Sequence, residues 1–197
     1  MVVTVMGPAQ KAAPAADAVV WIPGSTEEAP AAHGRVTSKN KRFDPRITAV
    51  SAGTTVDFPN LDKIHHNVFS GSEKAKFDLG LYRNGASKPY TFENPGLVRI
   101  YCNIHPQMAG FVMVVDGRRY GTTSADGVAV LSGLPPGKVP LKVWDEKGGE
   151  WAGTAEVKSG ATTTVEVKLD ARTWRDVPHK RKDGSNYPPP DDDENRY

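Results

Sequence analysis

Tyr101-Cys102-Asn103-Ile104-His105-Pro106-Gln107-Met108-Ala109-Gly110 places the only cysteine of the chain three residues before a histidine, and that histidine three residues before a methionine. The residues on either side give this stretch its structure. Asn94-Pro95-Gly96 is a turn signal, and Leu97 to Cys102 then alternates with a period of two. Val98, Ile100 and Cys102 fall on one face, and Leu97, Arg99 and Tyr101 on the other, so the sulfur is expected to point inward with the core residues. Phe111 to Val115 is continuously apolar, as a strand in the core of a sandwich can be. Cys102 therefore ends one strand and Gly110 opens the next, with His105 and Met108 on the tight loop between them. Pro106 restricts His105 to extended conformations, which helps to hold its ring in place.

A second source of imidazole lies upstream, in Ile64-His65-His66-Asn67-Val68-Phe69. One thiolate, two imidazoles and one thioether suit copper: the sulfur ligands favour Cu(I), the imidazoles accept both oxidation states, and no carboxylate in the motif invites a hard cation. If residues 64–69 form a strand, His65 and His66 point to opposite faces, and only one of them can serve. Zinc also accepts Cys and His, but the methionine speaks against it. A lone buried cysteine is usually only a small hydrophobe; it is the spacing to His105 and Met108, with a histidine upstream, that gives Cys102 a second meaning.

Composition narrows the alternatives. The chain has 197 residues, long enough for one or two domains, and its 19 Gly and 16 Pro punctuate it with turns. Short Val/Thr-rich runs between Gly, Pro, Asn and Asp predict an all-β protein. The net charge of +2 comes from interspersed charges, with no basic block interleaved with aromatics, so nucleic acid is not an expected partner. No apolar run approaches the roughly 18 residues of a membrane span. A single Cys excludes an intrachain disulfide framework. Asp57, Asp62 and Asp78 are scattered singly and offer no acid–base pair, so no enzymatic chemistry is expected. The first residues lack the layout of a signal peptide; since the chain opens in a strand-like run, the expectation is a processed periplasmic or secreted protein.

Three segments are expected. Residues 1–116 would form the metal-binding unit, with short strands at 2–6 and 18–22 and a long polar excursion at 24–42. Residues 117–170 would form a small antiparallel sandwich, signalled by Asp126-Gly127, Leu134-Pro135-Pro136-Gly137 and the alternating Val139, Leu141 and Val143. Residues 171–197, with few aliphatics, a Lys180-Arg181-Lys182 cluster and an acidic end, read as an irregular or partner-docked tail. His33 and His179 read as a loop and a tail histidine, and Trp174 as an anchor for the tail.

At these residues the chain resembles a known family. His66-Asn67-Val68 looks like the first-ligand motif of plastocyanin and amicyanin, and Cys102 to Met108 is similar to the short ligand loop of amicyanin, including the proline after the histidine. Phe43-Asp44-Pro45 with Gly53, Val56 and Phe58 resembles the lead-in strands of the same cupredoxins. The likeness covers roughly residues 40–115. It implies a Greek-key β-sandwich and one type 1 copper site, with His66, Cys102 and His105 in the plane and Met108 axial. Asn67 would tie the two ligand loops together, and Asn103 and Pro106 would support the loop from outside the ligand set. Because His65 stands where relatives often carry proline, it remains an alternative ligand; the His-Asn match favours His66. Residues 121–169 more weakly resemble the transthyretin-like modules of carboxypeptidases, which implies a docking module without chemistry of its own.

The expected function is therefore one-electron transfer to and from a redox protein partner. The alternatives are copper binding for delivery, favoured by an exchangeable site with extra Met or His, and an interaction subunit of a larger secreted or periplasmic complex. A multicopper oxidase is excluded by the count of five histidines.

Overall fold

The structure, a computed structural model, describes residues 1–7, 13–26, 34–170 and 179–188. His33, Trp174 and the acidic end of the tail lie outside the described residues. The described residues are all-β, without a helix, and the chain divides into two compact units.

In chain order, β1 (Val2–Met6) and β2 (Val19–Ile22) are followed by three short strands, β3 (Gly34–Arg35), β4 (Thr37–Lys39) and β5 (Arg42–Asp44). Then come β6 (Ile47–Ser51), β7 (Thr54–Pro59), β8 (His66–Ser72), β9 (Ala75–Tyr82), β10 (Ser87–Phe92), β11 (Gly96–Tyr101) and β12 (Ala109–Val115). The last five are β13 (Arg119–Thr122), β14 (Val128–Val130), β15 (Gly137–Asp145), β16 (Gly149–Val157) and β17 (Thr164–Lys168).

The unit built from β3 to β12 has a five-stranded sheet in the order β6-β12-β11-β8-β9 and a three-stranded sheet in the order β10-β7-β3. Both sheets feed one apolar core: Val50, Val68, Val98, Ile100, Val112 and Val114 from the first, Val56, Phe58 and Phe92 from the second. This is a β-sandwich, and its core continues without a break into Cys102 and Met108. As period two requires, Val98 and Ile100 are buried while Arg99 is exposed, and Cys102 follows them inward at 0% exposure. Antiparallel pairing of β11 with β12, from Gly96↔Val114 to Tyr101↔Ala109, brings the two ends of the Cys102–Met108 loop side by side. β11 also pairs with β8 through Tyr101↔Phe69, which carries His66 to the same end of the sheet.

Gly110 shows how tightly the loop is seated. A Cβ there would meet Arg46 O at 3.1 Å and Ile100 Cγ1 and Phe43 Cβ at 3.3 Å.

Two expectations about the chain's organisation need correction. Residues 2–6 and 18–22 do not belong with the metal-binding unit. β1 runs parallel to β17 (Val2↔Thr164 to Met6↔Lys168) and antiparallel to β14, and β2 lies between β13 and β15. Val3, Val5, Val20 and Ile22 are buried with Leu141, Val143, Val167 and Leu169 in a second core. Those first strands are too short to bury a face alone, and the partners that complete them lie about a hundred residues or more away. Nor is the segment 24–42 a plain excursion: β4 and β5 form a hairpin whose turn residues, Asn40 and Lys41, both have φ of 54°.

Phe58 is fully buried and packs with Phe77 and Phe92 at centroid distances of 6.4 and 6.5 Å. Phe58→Ala is expected to destabilise this unit by about 3–5 kcal/mol, read as a lowered midpoint in thermal or urea unfolding followed by circular dichroism.

Candidate metal centre

Three donor atoms converge at the end of the sandwich. His66 Nδ1 lies 3.1 Å from His105 Nδ1, and Cys102 Sγ lies 3.5 Å from His105 Nδ1 and 3.9 Å from His66 Nδ1. His66 and Cys102 are fully buried, and His105 is 8% exposed. Among the described residues this is the one cluster of His, Cys and carboxylate groups arranged to hold a metal ion. An ion about 2.0 Å from each nitrogen and about 2.3 Å from the sulfur, in their plane, sets the donors about 3.5–3.7 Å apart. The observed separations bracket that range, so the donor set fits a transition-metal ion with little adjustment.

The backbone explains the convergence. His66 is the first residue of β8, and Cys102 directly follows β11. The loop between Cys102 and β12 closes on itself: Cys102 N–H donates to Met108 O and Met108 N–H to His105 O, each at 3.1 Å. Asn67 joins this loop to β8. Its Oδ1 accepts the Asn103 N–H at 2.6 Å, and its Nδ2 donates to Asp78 Oδ1 at 3.3 Å. Met108 is fully buried in the same core as Cys102, whereas Pro106 and Gln107 are exposed at the loop's rim. His65 precedes β8 and is exposed, so the structure brings His66, and not its neighbour, into the cluster.

Asp62 was not among the expected site residues. Its Oδ2 lies 2.7 Å from His66 Nε2. The same carboxylate accepts the backbone N–H groups of Asn40 (2.6 Å) and Lys41 (2.8 Å), the two left-handed residues of the β4–β5 turn. The Asn60 side chain sets the loop that carries Asp62: its Oδ1 accepts Asp62 N–H, and its Nδ2 donates to Ile64 O and Tyr82 O. Burial alone would raise the Asp62 carboxyl; the N–H groups of Lys41 and Asn40, together with His66, outweigh it and hold the carboxyl below its usual range. An ionised Asp62 can only accept, so His66 Nε2 carries the proton and Nδ1 turns its lone pair toward the sulfur. The sequence signal was an acid four residues before a histidine in a turn-rich loop, which does not stand out without the hairpin that supplies the amides.

Burial lowers both imidazoles. For His105 the loss of water and the neighbouring His66 bring the value down to about 4; for His66 the loss of water outweighs the raising influence of Asp62. Burial pushes the Cys102 thiol up, against the backbone N–H groups of Asn67, Ile104 and His105 that favour the thiolate. At neutral pH the pocket thus presents two neutral imidazoles and a thiol, and a metal entering it displaces one proton, from sulfur.

No protein-family model matches the sequence, and neither does any curated protein. Solved structures resemble part of it. A purple cupredoxin from Nitrosopumilus maritimus is 25% identical with a TM-score of 0.37, over 41% of this chain and 98% of that one. A Cu(I) form of an amicyanin variant is 23% identical with a TM-score of 0.40, over 48% of this chain and 97% of that one. A copper-containing nitrite reductase from Thermus scotoductus is 25% identical with a TM-score of 0.40, over 46% of this chain and 24% of that one. Each likeness covers less than half of this chain, and none assigns a role to a residue here.

The described part of the tail, residues 179–188, is irregular and lies against its own chain: Lys182 Nζ is 2.6 Å from Asp78 Oδ2, and His179 stacks on Tyr101.

The two depressed histidines fix a pH dependence. Both lie below their ordinary value of 6.5 in the folded chain, so the unfolded chain takes up protons first as pH falls. Stability of the metal-free protein is expected to be full above about pH 6.5 and to decline toward pH 4, by at most about 1.4 kcal/mol per pH unit for each histidine. In urea titrations across that range, His105→Asn should flatten the decline.

Proposed function

We propose that this chain is a type 1 (blue) copper protein that carries single electrons between redox protein partners, in the periplasm or outside the cell. The observation that carries the reading is the convergence of one thiol and two neutral imidazole nitrogens in a buried pocket, with a buried methionine on the same loop. Copper bound there would accept and release one electron at a time. His66, Cys102 and His105 would hold the copper, and Met108, buried on the same loop, would be the source of a thioether ligand.

The remaining residues keep that geometry from changing. Asp62 fixes the tautomer of His66, and Asn67 fixes the distance between β8 and the loop. The apolar core on which Cys102 and Met108 sit shields the sulfur ligands from water and would limit changes in the ligand set as the charge changes. His105, the one ligand with an exposed edge, is the natural point of electron entry, framed by Pro106 and Ala109. Such a cage suits electron transfer better than delivery, which needs a site that opens. The unit built from β1, β2 and β13 to β17 is assigned no chemistry.

Added Cu(II) is expected to give an intense thiolate-to-copper absorption band and narrow copper hyperfine splitting in the EPR spectrum, both absent in Cys102→Ser. A colourless protein that binds only Cu(I) would favour copper handling. One that binds zinc alone, or no metal, would overturn the electron-transfer reading.

Asp62→Ala frees the His66 ring to rotate and to change tautomer. It is expected to weaken copper binding about 10–100-fold in competition titrations with a chelator, as the loss of a partner that orients a ligand typically does.

A further inference from the structure

Residues 179–188 touch the end of β11 and the start of the Cys102 loop at three places. Tyr187 Oη donates to the Cys102 carbonyl oxygen. Lys182 N–H donates to Asn103 Oδ1 at 2.8 Å. His179 lies flat on the Tyr101 ring, with centroids 4.3 Å apart and planes 17° apart, and meets Tyr187 edge-on at 5.1 Å. The hydroxyl of Tyr187 has one proton, already given to Cys102 O, so in its 2.9 Å contact with His179 Nε2 the imidazole is the donor. Lys182 Nζ adds an ion pair to Asp78, the carboxylate that also accepts from Asn67.

These contacts are built rather than incidental. The segment has its own turn: Arg181 N–H donates to Ser185 O and Gly184 N–H to Arg181 O, with Gly184 at φ +84° and Asp183 accepting from Ser185. The turn lets both His179 and Tyr187 fold back onto one strand end. Through Asn103 and Asp78 the segment also grips both partners of Asn67, the residue that joins β8 to the ligand loop.

We propose that residues 179–188 form a strap whose His179, Lys182 and Tyr187 act as positioning residues for Cys102. They hold the Cys102–Asn103 peptide at the end of β11, and with it the Cys102 side chain in its buried position, so that a reagent reaches the sulfur only when this peptide moves. The proposal rests on the reading of Cys102 as a metal ligand for its meaning, but the contacts themselves involve no metal. Exchange at the sulfur then requires the strap to lift, and the aromatic stack from Tyr101 through His179 to Tyr187 is what must separate.

The test uses the full chain with Tyr187→Phe, His179→Ala and the two combined, and Lys180→Ala, at an exposed residue of the same segment, as control. Tyr187→Phe keeps the ring and removes only the hydroxyl. In the metal-free protein, the rate of Cys102 modification by 5,5′-dithiobis(2-nitrobenzoate) is expected to rise about fivefold in Tyr187→Phe and by more than tenfold in the double variant, and to stay unchanged in Lys180→Ala. In the copper-loaded protein, copper loss to a chelator should accelerate in the same order, with a shift in the thiolate-to-copper band that general destabilisation would not cause. Thiol rates within twofold of the parent in the double variant would overturn the strap even if the blue spectrum is present. A protein that binds no copper, yet shows the ordered rise in thiol reactivity, would leave the strap standing and remove the electron-transfer reading.

Discussion

A thiol and two imidazoles share one buried pocket, and none of the three finds within it a charge that repays its loss of water. Burial lowers His105 and His66 and raises Cys102, so each is held in its neutral form. Their donor atoms crowd together, 3.1 to 3.9 Å apart. A soft cation bound there would draw on all three as ligands, with the thiol proton released. The rest of the unit built from β3 to β12 surrounds this pocket: the two sheets supply the apolar wall, and the β11–β12 pairing brings the ends of the loop together.

The pocket is held from two sides by hydrogen bonds with long sequence separation. On one side, the left-handed turn at Asn40 and Lys41 aims two amides at Asp62, and Asp62 in turn fixes His66. On the other, Asn67 receives the Asn103 N–H, and Asn103 receives the Lys182 N–H. Each ligand-bearing segment is thus tied to a neighbour that carries no ligand. That arrangement can keep donor separations near 3.5 Å before any ion arrives, which is the preorganisation a rapid one-electron exchange requires.

Much of this was legible in the sequence where the information is local. The alternation from Val98 to Cys102, the turn at Asn94-Pro95-Gly96 and the apolar run into Val115 fix a strand–loop–strand unit with the sulfur inward. The choice between His65 and His66 was not local; it depends on where β8 begins, and the structure buries His66 and exposes His65. Asp62 was missed for the same reason, since a single carboxylate in a loop acquires its role only from amides twenty residues away. The first strands were assigned to the wrong unit because an isolated strand carries no record of its partner: Val3 and Val5 look alike whether they face Val112 or Val167. The tail's composition could not reveal that His179 stacks on Tyr101 or that Tyr187 reaches the Cys102 carbonyl.

The most direct test of the metal centre is X-ray absorption at the copper edge on the loaded protein. A single short copper–sulfur path near 2.2–2.3 Å with two copper–nitrogen paths near 2.0 Å is the expected result, the approximate lengths being those of thiolate and imidazole ligation. A spectrum with only nitrogen and oxygen scatterers would show that Cys102 is not a ligand and would contradict the account.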